Sequence, residues 1–144
     1  MTAEEDPIFS DELKEEAFRR ILVKEAFEKG EYELAFKELM ILAEKGFPDM
    51  QYTLALMHLN GHGVKVDTDM AIMWFYISAK SGFENAVKAI DGLEKNLPSE
   101  KLAKAQELAR EWVKENYTAI NFSKEWVKKN HKMTNYPNFD KKKQ

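Results

Sequence analysis

The sequence predicts an all-α protein: about three antiparallel helical hairpins stacked in a short array, a closing helix, then an irregular tail. Three observations carry this prediction. Apolar residues recur at spacings of three and four through the middle of the chain, and no strand-length alternation persists. Glycine and proline punctuate the sequence where short turns between helices would fall. One segment also repeats another at a shift of about 36 residues, within the range of stacked helical arrays.

The elements follow in order. From Asp11, "DELKEEAFRRILVKEAFEKG" places Leu13, Ala17, Ile21, Leu22 and Phe27 along one side of a helix that Gly30 can end. "EYELAFKELMILAEKG" is apolar around most of its circumference through Leu34, Phe36, Leu39, Ile41, Leu42 and Ala43, which means burial between neighbours. Pro48 suits the first turn of the next helix, and Gly61 stops it. Asp67, Thr68 or Asp69 can cap the helix "DMAIMWFYISAKSG". In it Trp74, Phe75 and Tyr76 are consecutive and cannot all face one way. Trp74 and Phe75 are expected in the core, with Tyr76 at an edge. "FENAVKAIDGLEKN" is a fifth helix. "PSEKLAKAQELAREWVKEN" is a sixth, with Leu102, Ala105, Ala109, Trp112, Val113 and Asn116 forming its stripe. Short connections make neighbouring helices antiparallel.

The expected organisation is an acidic N-terminal extension over 1–10, a helical repeat domain over 11–117, and a short helix with a Lys-rich tail over 118–144. The repeat domain divides into units 11–46, 47–82 and 83–117, the last including the closing helix. Laid over one another, "ELAFKELMILAEKGF" and "DMAIMWFYISAKSGF" align Ala35 with Ala71, Ile41 with Ile77, Ala43 with Ala79, Gly46 with Gly82 and Phe47 with Phe83.

The segment from Ala43 to Leu93 resembles a Sel1-like repeat, a relative of the tetratricopeptide repeat. The matching positions are Ala43, Gly46, Leu54, Gly61, Gly63, Val64, Asp67, Ala71, Trp74, Ala79 and Gly82. Three positions depart from the family pattern: Ala55 stands for a glycine, His58 for a tyrosine and Ser78 for an alanine. The preceding hairpin resembles a tetratricopeptide unit, and "LPSEKLAKAQELAREW" resembles the helix that closes Sel1-like proteins, so the resemblance spans roughly 11–116. It implies a short right-handed α-solenoid. It also implies a non-catalytic adaptor or scaffold that binds a peptide or protein surface on a concave face, lined by the first helix of each hairpin. By position, the partner-binding candidates are Arg20 and Lys24, then Tyr52, Leu56, Leu59 and Asn60, then Lys88 and Lys95. This mixture of cations, a tyrosine and aliphatics suits an acidic or amphipathic peptide. Tyr136 and Phe139, flanking Pro137, offer anchors by which the tail itself would fill the groove.

Composition narrows the alternatives. The chain has 144 residues, 44% hydrophobic and 33% charged, as expected of one globular domain. No apolar run is long enough to span a membrane. The acidic start shows no signal-peptide pattern, and cysteine is absent, so a cytoplasmic protein is expected. The net charge of −3 argues against nucleic acid as the main partner, although a Lys-rich tail leaves weak nucleic-acid binding as an alternative. A monomer or weak homodimer is expected.

The stretch "HLNGHGVKVDTD" raises the question of a metal, because His58 and His62 stand four apart. Leu59 occupies the place of a catalytic carboxylate, and Gly61 should break the helix between the imidazoles. No metal, cofactor or catalytic residue is therefore assigned. No serine has a nucleophile-elbow context and no phosphate-cradling loop is present. A regulatory subunit or a hydrolase-like Sel1-like protein is the alternative that an enzymatic reading would take.

Overall fold

The computed structural model describes residues 11–130. Among them are seven helices: α1 (Asp11–Glu28), α2 (Tyr32–Glu44), α3 (Pro48–Asn60), α4 (Thr68–Lys80), α5 (Glu84–Asn96), α6 (Ser99–Glu115) and α7 (Tyr117–Asn130). Successive helices from α1 to α5 pack on one another, and α6 lies along α4. The helix α4 is thus the hub, touching α3, α5 and α6.

The middle hairpin is the most deeply buried part. α3 sits between α2 and α4 and is apolar around most of its surface, so it has no solvent face for most of its length. Leu54, Met57, Ile72 and Ile77 are fully enclosed there, as are Leu39 and Leu42 of α2. Each such aliphatic side chain contributes about 2 kcal/mol by leaving water. Trp74 and Phe75 are buried and Tyr76 is half-buried at an edge, the division expected of three consecutive aromatics.

Three polar side chains inside this hairpin are tied to backbone. Gln51 Nε2 donates to the carbonyl of Ala43 at 3.1 Å. Thr53 Oγ1 donates to the carbonyl of Asp49 at 2.9 Å. Ser78 Oγ donates to the carbonyl of Pro48 at 2.8 Å. This last bond gives the serine a structural use, since it joins the end of α4 to the start of α3, 30 residues earlier.

α1 differs from the expected register. Leu13 and Ile21 are exposed, as is Phe18, whereas Val23, Ala26 and Phe27 face the core. The turn of the helix is set by ion pairs on the packed side. Arg19 reaches Glu38 of α2 at 2.6 Å, and Arg20 reaches the fully buried carboxylate of Asp49 at 2.5 and 3.2 Å. A buried charge without a partner is costly, so Asp49 fixes which side of α1 faces inward.

α7 is longer than the sequence pattern indicated and begins directly after a break at Asn116. It crosses to the α2–α3 turn. Ser123 Oγ donates to the carbonyl of Gly46, and Phe122 meets Phe47 edge-on, with ring centres 5.0 Å apart. Gly46 has φ +104° and its α-carbon lies against the Ala119 carbonyl of α7, so a side chain there would meet both strain and backbone. Tyr136 and Phe139 of the C-terminal tail, and the acidic N-terminal extension, lie outside the described residues.

Candidate functional site

The loop that first suggested metal binding is a structural clasp. Gly61 ends α3 in the left-handed conformation, and the amides of Gly61 and His62 both donate to the Met57 carbonyl. The amide of Asp67 returns to the His58 carbonyl at 3.0 Å, and the Asp67 side chain accepts from Met70 N at 3.1 Å, capping α4. His62 stacks on Tyr32 at 4.3 Å between ring centres and meets the edge of Phe27. Gly63 presses on the Tyr32 carbonyl, leaving no room for a Cβ. The loop therefore seats the middle hairpin on the α1–α2 turn. His58 points elsewhere: it is buried edge-on to Phe36, and neither ring nitrogen has a hydrogen-bond partner. Burial pushes its pKa below the ordinary value of 6.5, with Asp67 opposing. Among the described residues no three metal-ligating side chains stand together.

The eight residues expected to contact a partner fall into three groups. Arg20 and Tyr52 are withdrawn from the open face. Arg20 pairs with Asp49 and Glu16 and lies over the rings of Phe47 and Trp126, so it ties α1, α3 and α7 together. Burial alone would lower its pKa, but the two carboxylates raise it overall. Tyr52 is 7% exposed and packs against Phe75 and Phe83. Leu56 and Asn60 are half-buried, Leu56 packing on the core. Lys24, Leu59, Lys88 and Lys95 are exposed, with Lys88 in an ion pair to Glu84 at 3.1 Å.

Of the repeat positions, Ala43, Leu54, Ala71 and Trp74 are buried, and Ala79 is half-buried against the core. Trp74 meets Trp112 of α6 edge-on at 5.3 Å. Val64 lies half-buried in the loop and Gly82 in the α4–α5 turn, with φ +87°.

A different surface has the geometry of a binding groove. Between α4 and α6 lies a recess of about 430 Å³ lined by Tyr76, Lys80, Gln106, Ala109, Arg110, Val113 and Lys114. Gln106 Nε2 donates to the Tyr76 hydroxyl at 3.0 Å, and that hydroxyl donates to Glu94 at 3.4 Å. Burial raises the Tyr76 pKa, Gln106 lowers it, and Glu94 raises it again. The phenol is therefore a neutral, fixed wall. Sequence reasoning placed Tyr76 at an edge but missed the groove, whose other wall is 30 residues further on. The available signal was the spacing Gln106, Arg110, Lys114, one face of α6 at successive turns.

The repeat geometry agrees with comparison to known families. Residues 48–83 match the Sel1 repeat family model. The chain thus carries a Sel1-like repeat. The match runs from the first residue of α3 through α4 to the turn after it, so the Sel1 repeat is the buried middle hairpin together with its clasp. Neither the curated proteins nor the solved structures that were searched gave a match to the chain. Sel1 repeats generally mediate protein–protein interaction and are typically non-catalytic. Among the described residues, no helix is long and apolar enough to cross a membrane.

Proposed function

We propose that this Sel1-like protein is a non-catalytic interaction module, an adaptor or scaffold that holds a peptide or protein surface against its helical faces. The supporting observation is the Sel1 repeat at 48–83, in which Gln51, Thr53 and Ser78 use their polar side chains to hold the hairpin together. Such a hairpin is a rigid support on which outward residues of its neighbours are held at fixed spacing. Lys24, Leu59, Lys88 and Lys95 stay available to a partner on the first helices of the hairpins. Arg20 and Tyr52 contribute there by holding the helices in place.

The test is quantitative binding with the intact chain. Proteins captured from the native cell are purified and titrated against the chain and against Gly63→Val, which the Tyr32 backbone should not admit. Saturable binding by the folded chain, lost in the variant, is the expected result. If every captured protein binds both forms alike, or none saturates, the reading fails.

A further inference from the structure

We infer that the groove between α4 and α6 is a docking site for an acidic, extended segment of a partner protein. This rests on the interaction-module reading and assigns it a surface and a partner chemistry. The surface lies on the second helices of the hairpins, away from the first helices that the family resemblance points to.

Three observations converge on it. The first is uncompensated charge. Lys80, Arg110 and Lys114 line the groove, are exposed, and take part in none of the ion pairs among the described residues. The nearby carboxylate Glu94 is engaged with the Tyr76 hydroxyl. In a protein of net charge −3, three unpaired cations around one recess concentrate positive potential at one place.

The second is shape and floor. Ala109 and Val113 give the groove an apolar base and Tyr76 an aromatic wall. An arginine fork on the rim matches a carboxylate in a two-bond geometry, and lysine supplies a point charge beside it. A strip with charged rims and an apolar base fits a segment that alternates acidic and apolar side chains.

The third is continuation. A second recess of about 470 Å³ shares Lys80 and runs between the α4–α5 turn and α7, where Lys124 is exposed and likewise in no ion pair. Its wall includes Ser81, whose buried Oγ has no hydrogen-bond partner. Glu125, the acidic residue at this recess, pairs with Lys128 at 3.2 Å. The two recesses share Lys80 and so place Arg110, Lys114, Lys80 and Lys124 along one path from α6 to α7.

The probe is a labelled 12-residue peptide of alternating Glu and Leu, compared with the same peptide carrying Gln for Glu and with a single-stranded oligonucleotide of similar charge. The full chain, the triple variant Lys80→Glu/Arg110→Glu/Lys114→Glu and a control variant Lys29→Glu/Lys37→Glu, at exposed positions away from both surfaces, are titrated by fluorescence anisotropy, with circular dichroism for each. The acidic peptide should bind the full chain, weaken with salt, and lose about tenfold in affinity only in the groove variant. The Gln peptide should bind at least as weakly. Four results would overturn the assignment: no preference for the acidic peptide, equal loss in the control variant, tighter binding of the oligonucleotide, or a dimer that the groove variant dissociates. The last gives the groove to a second copy of the chain. If the groove variant still binds the captured protein partners saturably, the groove assignment falls while the interaction-module reading stands.

Discussion

The helix α4 has two sides with opposite character. Its buried side carries Ala71, Ile72, Trp74, Phe75 and Ser78, with the Ser78 hydroxyl bonded to the Pro48 carbonyl of α3, and Trp74 and Ile72 packed on Trp112 and Leu102 of α6. Its groove side carries Tyr76 and Lys80 beside Arg110 and Lys114, cations in no ion pair among the described residues. On the first side the Ser78 hydroxyl is bonded within the fold. On the second, charge is left over. The difference separates what builds the repeat from what is left to recognise something else, since unpaired rim charge contributes little to folding and much to encounter with a partner.

The comparison is broken most forcefully from the buried side. Asp49→Ala should remove about 3 to 5 kcal/mol, because it leaves the Arg20 guanidinium half-enclosed with Glu16 as its remaining carboxylate. Urea unfolding followed by circular dichroism reads this directly; a midpoint close to that of the parent would mean that Asp49 does not set the α1 register. Leu54→Ala should cost about 3 kcal/mol by opening a cavity in the middle hairpin, with the unfolding slope unchanged.

Smaller effects sharpen the comparison. Ser123→Ala removes the bond from α7 to the Gly46 carbonyl and should cost about 1 kcal/mol. Amide hydrogen exchange should then speed up in α7 and remain slow in α3. Uniform acceleration across both would show that α7 and the repeat open as one unit.

The smallest effect is a pH slope. The folded chain holds the His58 pKa below its ordinary value, whereas the unfolded chain does not. Below about pH 6.5 the unfolded form takes up a proton that the folded form resists, so stability should fall as pH drops through that point and stay flat above it. His58→Phe, edge-on to Phe36, should flatten the dependence of the urea midpoint between about pH 7.5 and pH 5.5. An unchanged slope would place the titration elsewhere.

How much of this was legible in the sequence follows from the range of the interactions. The repeat was legible because its signal is local and periodic. Gly61 and Gly63 mark the clasp, Asp67 the cap, and Ala71 and Trp74 the face that packs. The partnership of Arg20 with Asp49 was not, because it spans 29 residues and leaves no spacing pattern. Its one trace is an acidic residue at the start of a helix that is otherwise buried. With that pair unseen, Leu13 and Ile21 were assigned inward and Arg20 outward, and both errors share one cause. α7 was half legible: its helical period shows, but its docking depends on Ser123 meeting Gly46, 77 residues apart. The groove was missed for a similar reason. Tyr76 and Gln106 meet only because α6 lies along α4, a packing choice that the length of the α5–α6 turn does not announce.

The central claim is that the open cations beside Tyr76, Lys80 among them, carry binding, while the buried residues of α4 carry folding. The most direct test measures both on one molecule, Lys80→Glu/Arg110→Glu/Lys114→Glu. The account predicts that its unfolding free energy stays within about 0.5 kcal/mol of the parent, as for exposed substitutions, while affinity for the alternating Glu–Leu peptide falls about tenfold. A variant that keeps its affinity, or one that loses stability in proportion to binding, would contradict it.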